Sequence, residues 1–180
     1  MKRIIKWAEH EFSFNQRFFA TLLAGVLFLF LIPLLLIRGL PALDKTLEFP
    51  SLSFGIINLI LGGLLILIGA IYALWSIIAQ LTRAQGTPLP MMATQKLLVD
   101  GPFKQSRNPM AFGAISMYLG MAFIVGSLSS ILIVILFLLL LILWIIKVEE
   151  RELEIRFGQD YVEYKKSTPF MIPYPWKKRN

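Results

Sequence analysis

Asn108 to Ile146 reads NPMAFGAISMYLGMAFIVGSLSSILIVILFLLLLILWII, 39 residues without a charge. Wound as one α-helix at 1.5 Å per residue, it would be about 58 Å long, nearly twice the roughly 30 Å hydrocarbon core of a bilayer. A single crossing is therefore excluded. Gly126-Ser127-Leu128-Ser129-Ser130 supplies turn-forming residues in the middle of the run. The stretch predicts a tight hairpin of two spans, near 109–125 and 129–147.

Towards the N-terminus the same pattern repeats. Phe18 to Ile37 is long enough for a first span, with Pro33 a kink that a membrane helix tolerates. Arg38 to Pro50 reads as a short loop holding two prolines, and from Phe49 to Thr82 no residue is charged. A second span is expected inside that run, where Gly62-Gly63 and Gly69-Ala70 offer small surfaces for close helix contact. With 57% hydrophobic residues and a mean hydropathy of +0.69, the chain exceeds soluble composition. The fold expected is all-α: a polytopic membrane helix bundle forming one domain over residues 1–180, with four spans and a C-terminal cytoplasmic helix extension. A fifth, re-entrant piece is the alternative. Residues 1–17 are expected to lie on the membrane as a basic, aromatic arm, with His10 an interfacial polar residue.

The charges orient the bundle. Lys and Arg number four in the arm, two at 38–50, four at 82–108, none at the hairpin tip and eight in the C-terminal segment. With four spans, both termini and the 82–108 loop share one side, which the positive-inside rule assigns to the cytoplasm. The net charge of +7 sits beside apolar spans, so membrane lipids rather than nucleic acid are the expected partner. The chain has no cysteine and one histidine, so neither a cysteine nucleophile nor a histidine-rich metal site is expected.

Two polar stretches carry the chemistry. Asp100 to Gly113, DGPFKQSRNPMAFG, is a turn-forming segment running into the apolar hairpin. Lys104 and Arg107 precede a helix start at Pro109, a combination that suits either a basic membrane flank or an anionic ligand. Leu97-Leu98-Val99 suggests that part of the 82–108 connection packs back onto the bundle. The last span is expected to continue as a helix to a cap at Gly158, with Ile142, Ile146, Glu149/Glu150, Leu153 and Phe157 forming one stripe. Two carboxylates in that stripe mean either a solvated helix face or a bundle-facing pair that needs a partner. Glu152 is expected to pair with Arg156 on the helix surface. Tyr161, Tyr164, Tyr174 and Trp176, with Lys165, Lys166, Lys177 and Lys178, read as an interfacial belt with a basic flank.

The wording of these stretches resembles the isoprenylcysteine carboxyl methyltransferase and phospholipid methyltransferase group of membrane enzymes. GPFKQSRNPMAFG is similar to the group's G-P-Y turn, basic loop and R-H-P or R-N-P. Glu149-Glu150, Leu153, Phe157-Gly158, Tyr161, Tyr164-Lys165-Lys166, Pro169 and Pro173 look like its C-terminal block, and Gly86-Thr87-Pro88 with Pro90 like a G-T-P-x-P fragment. The resemblance implies S-adenosylmethionine as cofactor and a lipophilic or lipidated acceptor. It also implies a bacterial inner-membrane location and cytoplasmic cofactor-binding elements at 82–108 and 147–180. Its cofactor contacts would fall on Gln95, Lys96, Leu97, Leu98, Phe103, Arg107, Asn108, Pro109, Met110, Ala111, Glu149 and Glu150, with no catalytic residue singled out. Phe103 replaces the usual tyrosine, Asn108 the histidine, and Ala111 a common aromatic. Ile145 stands where isoprenylcysteine-specific members carry a substrate-binding arginine. A nicotinamide-dependent reductase of the sterol reductase type, or a non-catalytic protein on the same scaffold, are the competing readings.

Overall fold

The computed structural model describes residues 12–84 and 94–174. Most of the N-terminal arm, His10, Gly86 to Pro90 and Trp176 to Lys178 lie outside these. The described residues form three long apolar helices, one shorter apolar helix and two short polar ones. These are α1 (Phe14–Thr46), α2 (Ile56–Thr82), α3 (Pro102–Gln105), α4 (Pro109–Val125), α5 (Leu128–Phe157) and α6 (Gln159–Ser167). By length and composition α1, α2 and α5 can each cross a membrane, and α4 is a shorter apolar helix. Leu23, Phe30, Leu67, Leu74, Leu139 and Leu140 are exposed on their outer faces, as a surface facing lipid requires. The protein is a polytopic membrane helix bundle.

α1 starts at a capping box, in which Ser13 and Gln16 satisfy each other's backbone N–H. It also runs further than expected. Arg38 to Thr46, read as loop, continues the helix. Pro33 and Pro41 cannot donate the hydrogen bonds of a regular helix. Wider π-helical turns at Leu27–Leu31 and Leu35–Gly39 accommodate them without breaking the rod. Each π turn offers a carbonyl to a neighbour: Tyr118 OH donates to Phe28 O at 2.9 Å, and Ser130 Oγ to Leu36 O at 2.8 Å. The last turn of α1 is fixed by the buried Asp44. Its carboxylate accepts from Ser127 Oγ at 2.5 Å and from Ser129 N–H at 3.1 Å, on the first turn of α5.

The expected hairpin is present. Gly126, in the left-handed conformation at φ +65°, ends α4, and Ser127 caps α5. Asn58 ties that tip to the start of α2, donating to Leu52 O at 2.8 Å and Phe123 O at 2.6 Å. α2 and α4 pack backbone to backbone through glycines. A Cβ on Gly69 would lie 2.5 Å from Gly113 O, and one on Gly62 would lie 2.6 Å from Gly120 O. Gly63, the neighbour of Gly62, faces open space. Leu36, Ile115, Tyr118 and Val134 form the core of the bundle, and a second core gathers Ala79, Phe103, Tyr161 and Tyr164 at its polar end.

This packing separates two adjacent glycines sharply. Gly62→Ala should cost about 1–3 kcal/mol of stability through overpacking, whereas Gly63→Ala should be neutral or slightly stabilising through helix propensity. Thermal unfolding of both variants in one detergent distinguishes them. Equal effects would contradict the glycine contact between α2 and α4.

Candidate functional site

The site is assembled from the two polar stretches. Arg83, just past α2, pairs with Asp100 at 2.6 Å. Gly101 follows at φ +58°, a conformation a side chain rarely adopts, and a Cβ there would meet the Arg83 guanidinium at 2.8 Å. The chain then makes the short α3 and reaches the buried Ser106. Ser106 Oγ accepts from the Asn108 N–H at 3.1 Å and donates to Met171 O at 2.7 Å. The segment leading into α4 is thus bonded to the C-terminal end of the described chain. Asn108 Nδ2 donates to Phe170 O at 2.7 Å. The Arg107 N–H donates to Pro169 O at 2.9 Å, and its Nε to Thr168 O at 3.2 Å.

The helix facing this segment changes register as it leaves the apolar run. A π turn at Ile145–Glu149 places two buried residues, Ile145 and Glu150, five apart. Ile146, expected on the same stripe, is exposed instead. The stripe is therefore corrected to Ile145, Glu150, Leu153 and Phe157, because the wide turn rotates everything beyond it. Glu150 accepts a charge-assisted hydrogen bond from Arg107 Nη1, and its other oxygen lies 2.7 Å from Lys165 Nζ. Lys165 also reaches Glu154 at 2.9 Å, and hydrogen bonds to Glu150 and Glu154 hold its ammonium above the ordinary lysine value. The Phe170 ring lies 5.4 Å from the Arg107 guanidinium carbon.

Tyr161 and Tyr164 are buried, 2% and 5% exposed, rather than part of an interfacial belt. They fill the space between α6 and α3, where Tyr164 OH donates to Phe103 O at 2.6 Å. Burial, reinforced by the Glu150 charge, pushes the Tyr161 hydroxyl up to about 12. Lys165 likewise belongs to the ion cluster and not to a headgroup flank. Glu152 pairs with Arg156 at 2.9 Å as expected, but both side chains are under 10% exposed. Arg156 also donates to Thr94 O at 2.6 Å, so this pair anchors the connection between α2 and α3 and is not surface support.

The residues singled out in the sequence occupy this one end of the bundle. The N–H groups of Gln95 and Lys96 donate to Ala84 O, and Leu97 and Leu98 pack on the second core, while Val99 is exposed. Phe103 is part of that core through its side chain. Pro109 is buried in the first turn of α4, and Met110 and Ala111 are half-buried beside it. Their first-turn N–H groups have no partner within the helix. Glu149 is exposed and, among the described residues, makes no ion pair. The adjacent carboxylates therefore differ: one is neutralised inside the joint, the other open. The roles of Lys165, Tyr161 and Tyr164 were missed because lysines beside tyrosines near an apolar span have the composition of a membrane interface.

Removing one partner of a buried ion pair leaves the other charge unmatched. Glu150→Gln should therefore destabilise the protein by about 3–5 kcal/mol. Lys165→Met should cost less, since its side chain is 36% exposed and Arg107 remains on Glu150. Thermal unfolding in detergent checks the order, and a silent Glu150→Gln would show that the joint contributes nothing.

A family model described as phospholipid methyltransferase matches residues 57–160, more than half of the 180-residue chain. No curated protein and no solved structure matches the chain significantly. The matched region holds α2 to α5, the segment with Arg107 and the helix with Glu149 and Glu150. With that coverage on a bundle of membrane-crossing helices, the chain belongs to the phospholipid methyltransferase family.

Proposed function

We propose that the protein transfers a methyl group from S-adenosylmethionine to a lipophilic acceptor at the cytoplasmic face of the membrane. The observation that carries this is the contrast between Glu149, an exposed carboxylate without an ion-pair partner among the described residues, and Glu150, buried beside it and neutralised. An open carboxylate fits a ligand that is cationic and rich in hydroxyl and amino donors. The free N–H groups of Met110 and Ala111, at the positive end of α4, suit a carboxylate on the same ligand. Gln95 to Leu98 would close the site from the connection between α2 and α3.

When bound, S-adenosylmethionine supplies an already activated methyl group, so the chain's work is to bind, orient and exclude water. Arg107, Glu150 and Lys165 act as positioning residues that hold the segment before α4 against α5. Phe103 and Tyr164 brace that segment from beneath. Ile145, 2% exposed, faces the core and offers no cation to an acceptor carboxylate, which argues against a prenylcysteine substrate. Membership of a methyltransferase family disfavours the reductase alternative. The charge distribution supports placing both termini and the site in the cytoplasm, and the resemblance supports a bacterial inner membrane.

Purified protein in detergent should bind S-adenosylmethionine or its demethylated product in preference to NADPH. Glu149→Gln should weaken that binding about tenfold and cost less stability than Glu150→Gln, because Glu149 makes no ion pair among the described residues. Calorimetry that finds NADPH binding and no response to either methionine derivative would contradict the proposal. For orientation, the absence of native cysteine allows single cysteines at Lys96 and Ser51. Only the first should be labelled from the cytoplasmic side, and labelling of both from one side would overturn the four-span topology.

A further inference from the structure

Beyond α6 the described chain ends in a strap, Thr168 to Tyr174, laid against the segment that leads into α4. Four successive carbonyls, Thr168 to Met171, accept from Ser106 Oγ, the Arg107 N–H and Nε, and Asn108 Nδ2, at distances between 2.7 and 3.2 Å. One bond returns, from the Tyr174 N–H to Gln105 O at 3.0 Å. The strap is thus held by its backbone, and its own side chains bury little. None of its seven residues is buried, and Ile172 and Tyr174 are 76% and 61% exposed. α6, by contrast, is anchored in the second core by Tyr161 and Tyr164. Polar bonds with few buried apolar contacts beneath them mark the part of a fold that opens at small cost. The change from anchored helix to lightly held strap falls at Thr168, whose backbone is extended at φ −121°.

Arg107 joins this strap to the buried ion cluster. Its N–H and Nε bond the strap, the Phe170 ring lies 5.4 Å from its guanidinium carbon, and its Nη1 bonds Glu150. Lifting the strap releases Arg107 from two hydrogen bonds and Asn108 from Phe170 O. Asn108 is the residue from which α4 starts.

We propose that residues 168–174 are a latch, which swings at Thr168 independently of the membrane helices and, when closed, fixes the start of α4 for ligand binding. The second half rests on the cofactor reading above, because Met110 and Ala111, whose N–H groups are offered to the ligand, lie in the turn that Asn108 begins. A ligand that needs this turn in place favours the closed latch, and the closed latch favours the ligand by the same factor.

The experiment is hydrogen exchange, read residue by residue by mass spectrometry, on the full-length protein in detergent. The Arg107 and Tyr174 amides both bond across the strap. They should exchange together, about tenfold or more faster than the amides of Ile115 to Met121 in the middle of α4. Ser106→Ala and Phe170→Ala should each speed both amides about a further tenfold and leave the middle of α4 unchanged. Ile172→Ala, at an exposed side chain of the strap, should change neither. The demethylated product of S-adenosylmethionine should slow both. Exchange of the two amides as slow as the middle of α4, or at unrelated rates, would overturn the latch. Should Ser106→Ala fail to fold, Phe170→Ala decides. Calorimetric binding of the demethylated product without slowing would overturn the coupling. No binding at all would count against the cofactor reading, and the two variants would still decide the latch.

Discussion

The carboxylate of Glu150 lies inside the protein at the end of a helix leaving the membrane, and it can stay there only if its charge is met. Arg107 and Lys165 meet it from two other segments. That requirement fixes the layout of the polar end of the bundle. Arg107 must come close, so the segment before α4 is drawn against α5 and its neighbouring groups fall onto the carbonyls of Thr168, Pro169, Phe170 and Met171. Lys165 must come close, so α6 folds back after Gly158, which adopts φ +55° at the bend. The two tyrosines of α6 are then buried under α3. A buried ion pair is seldom a large net source of stability, but it is unforgiving of alternatives, and here it selects one arrangement of three segments.

The opposite end of the molecule is built from different means. Asp44 is buried among serines, without a cation among the described residues, and caps the first turn of α5. Asn58 bonds the start of α2 to the end of α4. Between the two ends the glycine contacts of α2 and α4 bring backbones together, the closest packing available where lipid removes any hydrophobic drive between helices. The ends are tied by polar bonds and the middle by shape, which leaves the polar end rigid enough to hold a site.

The spans and the hairpin were legible because an uncharged run longer than a bilayer has few solutions, and Gly126 with Ser127 marks where it turns. The wording of the two polar stretches marked segments that the structure brings together at one end of the bundle. The loop expected from Arg38 begins only after Thr46, because prolines were read as breaks, whereas π turns absorb Pro33 and Pro41. A π turn at Ile145 to Glu149 likewise moved the stripe, and no periodicity of 3.6 anticipates a turn of five. Glu152 and Arg156 carry the pattern of a surface pair, and only the connection that crosses over them makes them buried. Arg17 is similarly opaque: a basic residue before an apolar run looks like a headgroup flank until its bond to Leu81 O on α2 is seen.

The central claim is that the Arg107–Glu150 joint organises the proposed cofactor site as a unit. A double-mutant cycle tests it most directly, measuring S-adenosylmethionine affinity for wild type, Arg107→Gln, Glu150→Gln and the double variant. If the joint acts as one element, each single change weakens binding about tenfold or more, and the double variant is little worse than either. Additive losses, or affinity untouched in all three, would contradict it.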